Sequence, residues 1–183
     1  MELTIFEFVQ AHLHNPTLNR VVQVITHVGG IPIWMVIACA LFFFKQYRRN
    51  AIALVAAVGG SGFVCRIILK PLFARERPFY AHGFELFTRA PISYSMPSTH
   101  TAMAIAAALV LFTVNKKLGA VALIFALMVS LSRIYLLVHY PTDVLAGIGV
   151  GIIIALCAIF ATKYMSSLLE KHWPWFKEMF PVA

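Results

Sequence analysis

A chain of 183 residues with 61% hydrophobic and only 12% charged side chains is too apolar for a soluble domain, where roughly a quarter of residues carry charge. Fifteen Lys and Arg against seven Asp and Glu give a net charge of +8, but the basic residues fall in short loops between apolar runs and form no continuous stripe suited to nucleic acid. The length allows one compact bundle over residues 1–183 with little left for a separate soluble domain, and its solvent is mostly lipid.

In chain order, residues 3–13 place Leu3, Ile5, Phe6, Phe8, Val9 and Leu13 mostly on one helical face, and Thr4 with Glu7 has capping-box spacing. Pro16 ends this segment, which is too short and too polar to span and reads as an amphipathic helix in the membrane interface. Five apolar segments follow, at about 21–44, 51–70, 98–114, 118–138 and 142–163. The expected architecture is all-α: a polytopic membrane bundle of five transmembrane helices, six if the N-terminal helix also crosses.

The first span contains Gly29-Gly30-Ile31-Pro32, where the proline removes a backbone bond and predicts a bend. His27, one turn earlier, has no second ligand at metal-site spacing and is expected to bond a freed carbonyl. Between the second and third spans, Phe79, Tyr80, Phe84, Phe87 and Tyr94 suit a headgroup-level loop, either an interfacial anchor or a lid over a lipid. After the last span, Tyr164, Trp173, Trp175 and Phe176 alternate with Lys163, Lys171 and Lys177 as an interfacial tail. Cys39, Cys65 and Cys157 lie inside apolar spans and read as buried free thiols. No cleavable signal peptide and no internal repeat is visible.

Lys45, Arg48, Arg49, Lys116, Lys117, Lys163, Lys171 and Lys177 fall at one set of span ends, and Arg20, Lys70, Arg75, Arg77, Arg89 and Arg133 at the other. With Lys70, Arg77 and Arg133 set aside for a site, the positive-inside rule puts the first set in the cytoplasm and the site on the outer side.

Three clusters at span ends carry the chemistry. Lys70 and Arg77 are six residues apart, and Pro71 predicts that the second span stops near Leu69 so that both cations turn into one pocket. Arg66, on the same helix face, reads as snorkelling, while Arg75, Glu76 and Arg89 read as solvated loop charges. In Pro97-Ser98-Thr99-His100, Ser98 is placed to cap the third span, whose free N–H groups suit an anion, with His100 in the first turn. Arg133 offers a planar fork to phosphate oxygens, and His139 and Asp143 face each other across a helix start that Pro141 favours. A carboxylate beside an imidazole orients it as a nucleophile, although Asp143 with Arg133 could equally form a structural ion pair. The whole kit can hold a phosphate and attack its phosphorus.

These motifs resemble those of the type 2 phosphatidic acid phosphatase superfamily, which also includes bacterial lipid phosphatases, glucose-6-phosphatase and vanadium haloperoxidases. The family pattern is lysine, six residues, Arg-Pro; then Pro-Ser-X-His; then Ser-Arg, five residues, His, three residues, Asp. Lys70 to Pro78, Pro97 to His100 and Ser132 to Asp143 match it. Thr99 stands where the family usually has glycine, which leaves the backbone less free to approach phosphate. The resemblance implies His139 as nucleophile, Asp143 as its orienting group and His100 as acid to the leaving oxygen. Lys70, Arg77, Ser98, Thr99 and Arg133 would bind the phosphoryl group, with no metal and no cofactor.

The reading that follows is a lipid phosphatase of a bacterial inner membrane with an outward-facing site. Phosphatidylglycerol phosphate, undecaprenyl pyrophosphate and lipid A 1-phosphate are its candidate substrates. A lipid phosphotransferase is the related alternative, and a binder or transporter of lipid phosphates is the alternative from another class. Membrane lipids are the only further partners implied, and the sequence leaves the oligomeric state open.

Overall fold

The computed structural model describes residues 2–13, 15–86, 88–173 and 175–181. Short α1 (Glu2–Phe8) continues through a π-helical turn to Leu13; α2 (Pro16–Val28) and α3 (Ile31–Phe43) form one bent span. The second span is α4 (Arg48–Phe63), a π-helical turn (Val64–Leu69) and α5 (Lys70–Phe73), followed by α6 (Pro78–His82). Then come α7 (Thr99–Val114), α8 (Lys116–Tyr135), α9 (Pro141–His172) and a terminal turn α10 (Trp175–Met179).

A helix lies at each of the five expected segments, and several boundaries move; among the described residues three of these helices are long and apolar enough to cross a membrane, four with the bent α2–α3 pair counted as one, while α7 with 16 residues is shorter. Pro16 does not merely end the N-terminal segment: it opens α2, with Asn15 Oδ1 accepting from the Leu18 N–H at 2.8 Å. α1 already begins at Glu2, so Thr4 sits within it and is no cap. Of the apolar face read in residues 3–13, Phe6 and Val9 are buried, whereas Leu3, Ile5, Phe8 and Leu13 stay exposed. The bend at Gly29-Gly30 measures 48°. The freed carbonyl there is taken by Trp34, whose Nε1 lies 3.3 Å from Gly29 O, and not by His27, whose side chain is exposed.

The second span runs past Leu69 to Phe73. The π-helical turn places the Lys70 N–H on the Cys65 carbonyl, and this wider winding carries Pro71 without ending the helix. Ala74, with φ +44°, then stops it. All three cysteines are free, but only Cys65 is buried; Cys39 and Cys157 face outward with the apolar belt. That belt includes Val36, Phe63, Ile124, Leu131, Ile153 and Phe160, each about 60% exposed or more, as lipid-facing surfaces require.

α7 is the axis of the bundle, packed against α4, α8 and α9. Five alanines, Ala102, Ala104, Ala106, Ala107 and Ala108, are buried on it, so neighbours approach its backbone closely. α9 meets it through small residues: a Cβ on Gly147 would lie 2.7 Å from Ser98 O, and one on Gly151 2.6 Å from Ala102 O. These contacts seat the N-terminus of α7 against that of α9. At the opposite end of the bundle, Arg49 pairs with Glu170, Arg48 Nη1 donates to Met179 O at 2.9 Å, and Asn50 Nδ2 donates to Thr113 Oγ1 at 2.9 Å.

Gly147→Ala is therefore expected to push α7 and α9 apart at the end that carries Ser98, His100 and Asp143. Overpacking of this kind costs about 1–3 kcal/mol, readable as a lower midpoint in thermal unfolding of the detergent-solubilised protein.

Candidate active site

The three clusters converge where α5, α7, α8 and α9 share one end. His139 lies on the connection between α8 and α9, which is buried rather than looped into solvent: Leu136, Leu137 and Val138 pack with Phe6, Phe79 and Tyr140. Leu137 takes a left-handed φ of +56°, and its packing holds this strained turn, which aims His139 inward.

His139 is 2% exposed, and its two nitrogens face opposite environments. Nε2 lies 3.3 Å from Arg77 Nη1. A guanidinium only donates, so Nε2 is the acceptor and the imidazole proton sits on Nδ1. Nδ1 in turn faces Asp143 Oδ2 and Ser95 Oγ, each at 3.5 Å. Burial, reinforced by Arg133, Arg77 and Lys70, holds this imidazole neutral well below its usual titration range.

Asp143 is fully buried in the first turn of α9. Oδ2 accepts from Ser95 Oγ at 2.5 Å and from the Tyr140 N–H at 2.9 Å; Oδ1 accepts from Arg75 Nη1 at 2.8 Å. Arg75 is thus no solvated loop charge. It also reaches Glu2 Oε2 at 3.0 Å and Thr142 Oγ1 at 2.6 Å, and its guanidinium lies 3.8 Å from the Tyr140 ring centre. Asp143 pairs with Arg75, and Arg133 lies elsewhere, which removes the Asp143–Arg133 structural pair as an alternative.

The cations differ in how fully their donors are engaged. Lys70 is buried, with Nζ donating to the carbonyls of Tyr94 and, at 3.0 Å, Ser95. Arg77 donates to Ser93 O at 2.6 Å, Val138 O at 2.7 Å and Tyr94 O at 3.2 Å, so both side chains also fasten residues 93–95 as a wall of the site. Arg133 Nη1 donates to Thr26 Oγ1 at 2.5 Å, but its buried Nε has no partner among the described residues.

Ser98 occupies the expected N-cap position of α7 but makes no side-chain cap bond; its Oγ accepts from Thr101 Oγ1 at 3.0 Å. The Thr99 hydroxyl is buried with no hydrogen-bond partner among the described residues, in the first turn of α7, where helix N–H groups lack intrahelical partners. His100 borders a basin of about 690 Å³ that Arg133 shares. Arg66 is exposed and lines a second cavity, of about 290 Å³ and mostly apolar, that meets the site at Thr99.

The aromatic loop divides: Phe79 is buried, Phe84 packs edge-on against Phe6 at 5.8 Å, and Tyr80 and Tyr94 are exposed. Phe87 lies outside the described residues. Sequence reasoning missed Ser95 and Arg75 because neither occupies a position whose spacing marks it. Among the described residues, no three His, Cys, Asp or Glu side chains gather as a metal site.

The PAP2 superfamily pattern matches residues 50–166, more than half of the chain and all three clusters. The chain belongs to that superfamily. The undecaprenyl-diphosphatase BcrC of Bacillus subtilis is 29% identical over 141 residues, covering 77% of this chain and 73% of that protein. An undecaprenyl-diphosphatase of Sulfolobus acidocaldarius is 33% identical over 137 residues, 72% of this chain and 64% of that protein. Crystal structures agree at the level of fold: LpxE of Aquifex aeolicus superposes with a TM-score of 0.74 at 27% identity, over 86% of this chain and 94% of that one. The phosphatidylglycerolphosphate phosphatase of Bacillus subtilis gives 0.71 at 26% identity, over 91% and 84%. This PAP2 chain is a membrane lipid phosphatase.

Ser95→Ala removes a charge-assisted hydrogen bond from the carboxylate that faces His139, an interaction of about 1.5–3 kcal/mol. The expected result is a fall in kcat of about tenfold to a hundredfold with KM little changed, measured as phosphate release.

Proposed function

We propose that the protein hydrolyses a phosphate monoester or diphosphate on a membrane lipid through a phosphohistidine. His139 Nε2 attacks phosphorus, the bond from phosphorus to the leaving oxygen breaks, and His100 gives that oxygen a proton. Asp143 faces Nδ1–H and stabilises the imidazolium as charge develops. Water then attacks the phosphohistidine, releasing inorganic phosphate and restoring the imidazole. Lys70, Arg77, Arg133, Ser98 and Thr99 supply donors to the phosphoryl oxygens, so the transition state is stabilised by fixed cations. The observation that carries this reading is the placement of His139, with Nε2 against the Arg77 guanidinium and Nδ1 toward the buried Asp143 carboxylate.

The apolar cavity beside Thr99, lined by Ile31, Met35, Val58 and Met103, supports a lipid as the substrate, since an acyl or prenyl chain fits beside a phosphate held at the start of α7. Relatives named for undecaprenyl diphosphate, phosphatidylglycerol phosphate and lipid A support the same class. The charge asymmetry of the loops supports a site on the outer side of the membrane, and relatives from Bacillus subtilis support a bacterial cell membrane.

The test is phosphate release by purified wild type and His139→Ala with EDTA present, across phosphatidylglycerol phosphate, undecaprenyl pyrophosphate and lipid A. Release that resists EDTA and vanishes in the variant is expected. Binding of lipid phosphate with no release from any of the three would replace hydrolysis with the binder reading.

The depressed titration of His139 has a sign. A nucleophile whose folded pKa lies below 6.5 stays neutral as the pH falls through 6.5, so the acid limb of kcat/KM should lie below that value. An acid limb at or above pH 6.5 would contradict the burial that sets it.

A further inference from the structure

The basin beside His100 is larger than one phosphoryl group requires, and it is cationic. Its outer wall carries Arg20 and His27 from α2 and Arg89 from the loop before α7; its inner wall carries His100 and Arg133. None of its lining residues is acidic. Arg20 and Arg89 are exposed and, among the described residues, form no hydrogen bond or ion pair. In that they differ from Arg48, Arg49, Arg75 and Arg77, each of which is engaged by protein oxygens. Two arginines with no ion-pair partner among the described residues line the same basin as the residue assigned to protonate the leaving oxygen, and guanidiniums in that state suit an oxyanion.

We infer that Arg20 and Arg89 bind a second phosphoryl group of the same lipid headgroup, and so make the enzyme select lipids whose headgroup carries two phosphates close together. This rests on the phosphatase reading above. Such a group has two chemical sources: the inner phosphate of a lipid diphosphate, where the leaving oxygen is itself a phosphate oxygen, or the phosphodiester of a lipid whose terminal phosphomonoester is removed. In either case the guanidiniums neutralise charge that would otherwise meet the departing oxygen, while His139 attacks only the terminal phosphorus. Arg133, assigned above to the scissile phosphate, also lines this basin: its Nη1 is held by Thr26, and its buried Nε has no partner among the described residues.

The test compares wild type with the Arg20→Gln/Arg89→Gln double variant on three lipids in mixed micelles: farnesyl diphosphate, phosphatidylglycerol phosphate and phosphatidic acid, which has a single phosphate. The expected result is at least a tenfold loss in kcat/KM on one or both of the first two, with less than a threefold change on phosphatidic acid. Whichever lipid suffers identifies the source, and retained turnover of phosphatidic acid shows that the variant is folded. Equal losses on all three, or no loss on either diphosphorylated headgroup, would overturn the inference. A second readout does not depend on turnover. Pyrophosphate should protect His139→Ala protein from thermal unfolding at a concentration at least tenfold lower than phosphate, and combining His139→Ala with Arg20→Gln and Arg89→Gln should erase that difference. No difference in the His139→Ala protein alone would also overturn it. Phosphate release that persists in His139→Ala would instead count against the histidine mechanism, and the pyrophosphate comparison would still decide the subsite.

Discussion

A single buried carboxylate organises the functional end of this bundle. Asp143 is inaccessible to solvent, and an isolated charge there would be prohibitively costly, so its surroundings must supply donors from several directions. They do so from three segments. Arg75 comes from the stretch after α5, Ser95 from the loop before α7, and the Tyr140 N–H from the connection before α9, while the Asp143 carbonyl receives the Ser98 N–H at 3.0 Å. The chain segments that carry Lys70 and Arg77, His100, and His139 are thus registered against one another through the residue that faces the imidazole. Stability of the fold and placement of the reacting group are the same set of bonds.

The rest of the molecule supports that node from below. α7 can bring its first turn to Asp143 because alanines leave its flanks flat and because Gly147 and Gly151 remove side chains where α9 crosses it. A bundle in lipid gains little from burying apolar side chains that lipid would solvate equally well, so close backbone approach and polar contacts must hold the helices. The amphipathic start of the chain adds a cover: Glu2 reaches Arg75 and the Thr142 hydroxyl, and Phe6 fills the space between Phe84 and Tyr140.

Much of this was legible in the residue order, for a physical reason. The catalytic-type groups sit at helix ends with fixed spacing, and spacing along one helix or one short turn survives folding unchanged, as Lys70 with Arg77 and His139 with Asp143 illustrate. What the order conceals are partners contributed across space. Arg75 looked like one more loop charge beside Glu76, yet the return of α9 places it on Asp143. Ser95 carried no signal, because a serine two residues before a proline is ordinary until a carboxylate is brought to it. The carbonyl freed by the bend went to Trp34 and not to His27 because the indole lies inside the bend and the imidazole outside it. The boundary at Pro71 shifted because a π-helical turn accommodates a proline that a regular α-helix would not.

The bonds that Lys70 and Arg77 make to the carbonyls of residues 93–95 bear on occupancy as well as architecture. Main-chain oxygens there already satisfy much of the positive charge, so an arriving oxyanion competes with resident dipoles instead of filling a vacuum of charge. Its net gain is the difference between two sets of contacts. A site built this way holds a dianion only loosely, and once the anion is severed from the rest of its molecule, the same carbonyls are on hand to take back their donors and let it go.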